Sequence, residues 1–325
     1  MLFVVSTGRS GSQTLSMVLS QSPDMLCLHE PHPQLVRESA SFHYGRLGLP
    51  EAVELLRRTR PAELEGRRYG ETNNRLALML PVARAAFPEA QMVWLLRDGR
   101  GFVASELQRG AYRSVSRLPW RRSKWDRWCL SGAAARAVGS DEWERWSTFE
   151  KICWQWGYVN RLIRKDLAGL GPERVRVLRI EDLGGQLPEL CDWLGITKVD
   201  FHIPRSNARR EVPAKARQAS RHPNAVARVT GWEGWTPQQR ATFERHAGEL
   251  MDEHYPGWRS DDGQWQPVRA EEPPPPADGE AVLRYELARA LVERQELRSE
   301  IAELKRSPVL LLTHAGLSLR NRLRR

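Results

Sequence analysis

The sequence predicts an α/β protein: a P-loop-like three-layer α/β/α fold around a central parallel sheet, followed by a C-terminal helical, coiled-coil tail. Three observations carry that prediction. Short apolar runs at 2–5, 25–29, 93–96 and 175–180 alternate with helical segments, the pattern of strands joined by crossover helices. The first run enters a Gly/Ser turn that opens directly into an amphipathic segment. A Pro-rich stretch, 271–278 with Pro273-Pro274-Pro275-Pro276, then separates this part from a segment of different composition. The boundaries so drawn are a main α/β domain over 1–270, an extended linker over 271–279 and a basic helical tail over 280–325.

The first element is the most informative. Phe3-Val4-Val5 reads as a buried strand, Ser6-Thr7-Gly8-Arg9-Ser10-Gly11-Ser12-Gln13 as a loop, and Thr14 to Leu19 as the opening of a helix. Orphan N–H groups at a helix N-terminus and the aligned peptide dipoles make such a turn an anion cradle. A nucleoside-triphosphatase loop would read G-x-x-x-x-G-K-[ST], with Lys on the phosphates and a hydroxyl on Mg²⁺. Here Ser12 follows Gly11 and no Lys is near; the fixed cation is Arg9. The loop is expected to hold a phosphate or sulfate group without a metal.

The second run, 25–29, ends at Glu30-Pro31. Glu30 falls at a strand's carboxyl end, next to the loop's own strand if the order is ordinary, and Pro31 turns the chain away there. It is the candidate base. His29 should point to the opposite side and reads as a satisfied core or edge histidine; it is the runner-up, and His32 a third. The third run ends at Arg97-Asp98-Gly99-Arg100, with Ser105 in the first turns of the next helix. A guanidinium and a hydroxyl so spaced can converge on one isolated phosphate. Arg100 reads as a surface helix charge.

These motifs together resemble those of sulfotransferases that use 3′-phosphoadenylyl sulfate (PAPS), in the carbohydrate and tyrosyl-protein branch that carries Arg in the loop. Leu28-His29-Glu30-Pro31 is similar to that branch's strand-end E-P element. Gly70-Glu71-Thr72-Asn73-Asn74 and Phe87-Pro88-Glu89-Ala90-Gln91 resemble the stretch before the 3′-phosphate strand. Arg179-Ile180-Glu181-Asp182-Leu183 resembles R-Y-E-D-L, and the segment from Arg228 through Trp232 to Thr236-Pro237 resembles G-x-W-x-x-x-L-T-P. The resemblance covers roughly 1–258, more weakly over 35–68 and 110–150. The sequence departs from the family at Gln13, where a hydroxyl is usual, at Thr14, where an apolar residue is common, and at Gly99, in place of Pro. Asn73 replaces a Lys-Thr-Pro-type sequence, so no cation is expected from that strand.

The resemblance implies a donor, PAPS, that needs no metal. It places Arg9, Ser10, Gly11, Ser12, Gln13 and Thr14 on the 5′-phosphosulfate and Arg97 and Ser105 on the 3′-phosphate. Arg228 would close over the adenine or 3′-phosphate, Glu30 would be the base, and Glu181 and Asp182 would brace the sheet edge. The implied acceptor is a hydroxyl of a carbohydrate or glycolipid. Trp120, Trp125 and Trp128, lying among arginines, are acceptor-site candidates; Trp154 and Trp156 share a helical run with Ile152 and Tyr158 and read as core. The alternatives are a P-loop nucleotide kinase-like enzyme and a non-catalytic nucleotide-binding scaffold.

Composition sets the remaining expectations. The chain of 325 residues is long enough for one large domain plus an appendage. Net charge is +10, yet of 50 basic residues only six are Lys, leaving 44 Arg, a skew that fits a GC-rich bacterial genome. Net charge alone supports no nucleic-acid reading, because no recognised module accompanies it. Cys27, Cys129, Cys153 and Cys191 are scattered without C-x-x-C spacing and read as reduced thiols. Met1 runs straight into the first strand and no apolar run approaches about 20 residues, so a cytoplasmic protein is expected. In the tail, Leu283, Leu287, Ala290, Arg294, Leu297, Ile301 and Leu304 recur at spacings of four and three. That is either a short coiled coil, hence self-association, or a helix packed on its own domain. The last segment, 309–325, mixes Leu with Arg and could touch the inner membrane face.

Overall fold

The computed structural model describes residues 1–112, 129–203, 232–259 and 279–305. Its strands are β1 (Leu2–Val5), β2 (Met25–His29), β3 (Glu63–Leu64), β4 (Arg67–Thr72), β5 (Gln91–Leu96) and β6 (Val175–Arg179). They form one sheet in the order β2-β4-β1-β5-β6, parallel throughout, with β3 antiparallel on β4. Helices α1 (Ser12–Leu19), α2 (Val36–His43), α3 (Leu49–Thr59), α4 (Leu80–Ala86), α5 (Gly99–Arg109), α6 (Ser140–Arg145), α7 (Thr148–Leu167), α8 (Leu183–Leu194), α9 (Pro237–His254) and α10 (Gly279–Lys305) surround it.

Strand alternation sorts the core into two layers. Leu2, Val4, Met25, Cys27, Val93 and Leu95 face α1 and α8, meeting Leu15, Val18, Leu187 and Leu190. Phe3, Val5, Leu26, Leu28, Met92, Trp94 and Leu96 face the other way, where α3, α4, α5, α7 and α9 pack. The result is the expected three-layer arrangement. Trp154 and Trp156 are buried in the second layer, as the helical run predicts. The four cysteines are free thiols, three of them buried.

One strand corrects the expected order. β4 lies between β1 and β2, so Glu30 does not stand beside the loop's own strand. Arg67-Arg68-Tyr69-Gly70-Glu71-Thr72 has no apolar run to announce a central strand. It is central because its one charged core residue, Glu71, is fully neutralised within the protein.

The helix α9 begins with a full capping box: Thr236 accepts from the Gln239 N–H and the Gln239 side chain accepts from the Thr236 N–H. The tail helix α10 lies against α1 and β2, burying Ala281, Ala288 and Val292. Tyr285 meets the His202 ring edge-on at 5.0 Å, and Arg294 and Arg298 both pair with Glu65 in the β3–β4 turn. The linker at 271–278, Trp120, Trp125, Trp128 and the basic segment 309–325 lie outside the described residues. Among the described residues no helix is long and apolar enough to cross a membrane.

Candidate active site

The carboxyl ends of β1, β2, β4 and β5 converge on one edge of the sheet, the usual ligand side of an open parallel sheet. The loop leaving β1 is built by its own small residues. Gly8 and Gly11 have φ of +82° and +75°, the left-handed region where side chains are costly. Space forbids a side chain there as well. A Cβ on Gly8 would sit 2.7 Å from Asn74 Nδ2, and one on Gly11 2.5 Å from Ile180 Cγ1. The Gly8 N–H donates to Ser6 Oγ, and the hydroxyls of Thr7 and Ser10 donate to the Gly8 carbonyl at 3.2 and 3.0 Å.

The Ser10 hydroxyl is therefore committed inside the loop, and what Ser10 can offer an anion is its N–H. Ser12 and Thr14 are buried and Gln13 exposed, so the turn of α1 presents mixed side chains over a uniform backbone. Gly11 provides no capping side chain and the first turn has no acidic residue. The helix end is left electropositive, which is the state an oxyanion stabilises.

Arg9, exposed and itself at φ +54°, reaches from this loop to α5, donating from Nε to Ser105 Oγ at 3.0 Å. Arg97 leaves the end of β5 and donates to the Arg9 carbonyl at 2.6 Å. Three residues separated by up to 96 positions thus form one group. Arg97 is held from several sides. Trp156 Nε1 donates to its carbonyl at 3.1 Å, and its guanidinium lies over Gly101, where a Cβ would approach to 3.3 Å. Burial lowers the Arg97 pKa, offset by the nearby Glu181 carboxylate. Glu181 accepts from the Asp98 N–H at 2.9 Å and from the Tyr255 hydroxyl at 3.2 Å, joining the ends of β5, β6 and α9.

Glu30 follows β2 with φ +46°, and its N–H donates to the Thr72 carbonyl at 2.9 Å. The segment after it is anchored by Arg60, which donates to the carbonyls of Pro33 and Pro31 at 2.9 and 3.4 Å. The same guanidinium forks onto Glu71 at 2.6 and 3.1 Å, and Glu71 also accepts from Tyr69 and Asn73. The position of Glu30 is therefore set by a buried ion pair across β4. His29 is a satisfied strand-end residue, its Nδ1 3.0 Å from Thr72 Oγ1, and burial lowers its pKa.

Two site residues escaped the sequence reading. Arg75, two residues beyond Asn73, is buried, and its pKa falls to about 10 through burial, opposed by the Glu30 charge. The cation not expected after β4 is thus present, in the 3-10 turn Asn74–Leu78 that the Asn73 side chain caps. Glu106, next to Ser105, is buried with its carboxylate 2.7 Å from Arg109, and burial raises its pKa against the pull of Arg109, Arg9 and Arg75. In sequence, Glu106 and Arg109 look like an ordinary surface pair three apart on a helix; only burial distinguishes them. Arg75 had a weak signal, an Arg just past a strand end.

Two expectations need correction. Arg100 is buried, not a surface charge: its guanidinium pairs with Asp98 at 2.8 Å and donates to the Trp258 carbonyl. Gly99, which reads in sequence as a small change at a turn, is tightly packed instead: a Cβ there would stand 2.9 Å from Phe243 Cζ and 3.1 Å from Trp156. Arg228 lies outside the described residues; Trp232, in the same motif, is buried among Trp235, Phe243 and Trp258.

No family model matches the chain, and no curated protein matches it. Solved structures do. The neighbours are bacterial sulfotransferases. The enzyme from Alicyclobacillus acidocaldarius is 15% identical with a TM-score of 0.39, over 75% of this chain and 94% of that one. Sulfotransferase STF1 from Mycobacterium tuberculosis H37Rv is 16% identical with a TM-score of 0.41, over 76% of each chain. The sulfotransferase domain of the Synechococcus PCC 7002 olefin synthase is 18% identical with a TM-score of 0.38, over 61% of this chain and 74% of that one. At this distance, function is argued from the site's own chemistry.

Proposed function

We propose that this chain is a sulfotransferase that moves the sulfuryl group of PAPS to an acceptor hydroxyl, on a carbohydrate or glycolipid. The observation that supports the reading is the Arg9–Ser105 hydrogen bond with Arg97 on the Arg9 carbonyl. It joins the two motifs that the resemblance assigns to the two ends of one nucleotide. Glycines whose Cβ positions are already filled, an electropositive helix end and two arginines suit a donor anionic at both ends.

PAPS supplies an activated sulfuryl group, whose bond to the 5′-phosphate oxygen breaks as the acceptor oxygen bonds to sulfur. In this reading the Ser10 to Thr14 backbone and Arg9 offset charge growing on the leaving oxygen. Arg97 and Ser105 fix the 3′-phosphate, and with it the line of displacement. Glu30 takes the acceptor proton, and the Arg75 guanidinium lies close enough for the two charges to attract. No step needs a metal.

Thermal stabilisation by adenosine 3′,5′-bisphosphate, beside 5′-AMP and Mg-ATP, tests the donor. At about 100 times its dissociation constant the bisphosphate is expected to add about 2.7 kcal/mol, and Arg97→Ala to lose that shift. Glu30→Gln is expected to keep the shift and lose transfer to any acceptor. Equal shifts with ATP, or none with the bisphosphate, would overturn the reading in favour of a kinase or another ligand.

A further inference from the structure

The tail helix carries two faces, and the body covers one. In heptad terms Leu283, Ala290 and Leu297 are d positions, and Leu287, Arg294 and Ile301 are a positions. The residues turned onto the body, Ala281, Tyr285, Ala288 and Val292, are the b and f positions on about the opposite side. The helix has the packed face that one of the two sequence readings expects. It packs on its own domain, and its seam still faces outward: Leu283, Leu287, Leu297 and Ile301 are 69, 57, 58 and 49% exposed. An exposed apolar row of that kind, interrupted once by Arg294, marks an interaction surface.

We propose that this row is the seam of a parallel, in-register two-stranded coiled coil with a second copy of the chain. Charge pattern selects this occupant and this orientation. The g positions 286 and 293 are Glu, and the e positions 284 and 298 are Arg. A parallel pair sets each g residue against the e residue of the next heptad, hence Glu286 against Leu291 and Glu293 against Arg298 of the second copy, whose guanidinium also meets Glu65 of its own chain at 3.1 Å. An antiparallel pair would set Glu against Glu and Arg against Arg. A membrane-seeking helix would flank its apolar face with Lys and Arg on both sides, whereas here one flank is acidic.

Three features make so short a seam sufficient. From 283 to 304 the helix spans about 33 Å, a length marginal for an isolated pair. It is already folded and anchored along β2 and α1, so less ordering cost falls on association. Arg294, the one charge in the seam, is paired with Glu65 of its own chain, so its charge is balanced without help from a second copy. Because the body covers the b and f face, the two bodies lie outside the seam and leave room for closure by a two-fold axis. This inference is independent of the chemistry proposed for the site.

Light scattering of the full-length chain tests it, with an expected mass twice 37.3 kDa. Leu287→Glu with Leu297→Glu is expected to give a folded monomer whose melting temperature no longer depends on concentration, since both side chains are exposed in the single chain. Leu297→Cys is expected to cross-link two copies under mild oxidation where the unsubstituted chain does not. Three results would each overturn the proposal: a monomeric wild type up to its solubility limit, a dimer indifferent to the double substitution, or a dimer in which Leu297→Cys fails to cross-link.

Discussion

Glu71 is a fully buried carboxylate, and the placement of Glu30 depends on it. Its four hydrogen bonds, from Arg60, Tyr69 and Asn73, exhaust most of what an ionised carboxylate accepts. Arg60 also donates to the carbonyls of Thr59, Pro31 and Pro33, the last two in the segment just after the residue proposed as base. Removing one member of such a pair leaves an uncompensated buried charge, costing about 3–5 kcal/mol. Arg60→Met is accordingly expected to lower stability by that amount in urea unfolding, and Arg60→Met with Glu71→Gln, which removes the charge and keeps an acceptor for Tyr69 and Asn73, to recover part of it. The recovered double variant should still transfer poorly, because the carbonyls around Glu30 have lost their anchor. Equal stability of Arg60→Met and wild type would remove the pair from this role.

At the scale of elements, the β5–α5 junction couples the core to the site. Asp98 caps α5 by accepting from the Arg100 N–H, and binds the Arg100 guanidinium as well. Gly99, the first helical residue, is pressed against Phe243 and Trp156. A Gly-to-Ala change in a helix ordinarily stabilises by up to about 1 kcal/mol. Here the added methyl meets two rings in a packed core, and overpacking of that kind costs about 1–3 kcal/mol. Gly99→Ala is expected to be net destabilising in a thermal melt. Because α5 carries Ser105, the bisphosphate affinity should fall with it; a more stable Gly99→Ala would refute the packing argument. The helix also shows where a sequence reading stops: Arg97 and Ser105 are legible from spacing, while Arg100, Glu106 and Arg109 look like solvent-facing charges. Two of those three are buried, and burial is a property of what packs over a helix.

Across the whole molecule, Glu181 links the ends of β5, β6 and α9 through Asp98 and Tyr255. Burial raises its pKa above the ordinary glutamate value of 4.5. Below that value the side chain is neutral folded and unfolded alike. Above it the unfolded chain releases the proton first, so the contribution of Glu181 to stability falls as pH rises. Glu181→Gln keeps an acceptor and removes the titration. Its melting temperature relative to wild type is therefore expected to improve between pH 4.5 and 7. A difference that stays constant over that range would mean the carboxyl titrates normally.

By itself, the sequence determined the parts that local chemistry dictates. β1, β2 and β5 follow from apolar runs that the sheet buries almost whole, and β6 from an alternating run of which Leu178 is buried. The Gly8–Gly11 turn follows from residues that tolerate left-handed backbone, and the α9 start from a Thr-Pro-x-Gln cap. The tail's heptad spacing was legible too, although spacing alone could not say which face the body takes. Tertiary structure decided the rest. β4 enters the sheet centre because Arg60 reaches Glu71 from another element, and that insertion moves Glu30 one strand away from the loop. Arg75 and Glu106 join the site because helices from distant parts of the chain exclude water from them. Apolar runs and turn residues act on neighbours in sequence, whereas a charge's solvation, and hence its role, is set by everything that folds around it.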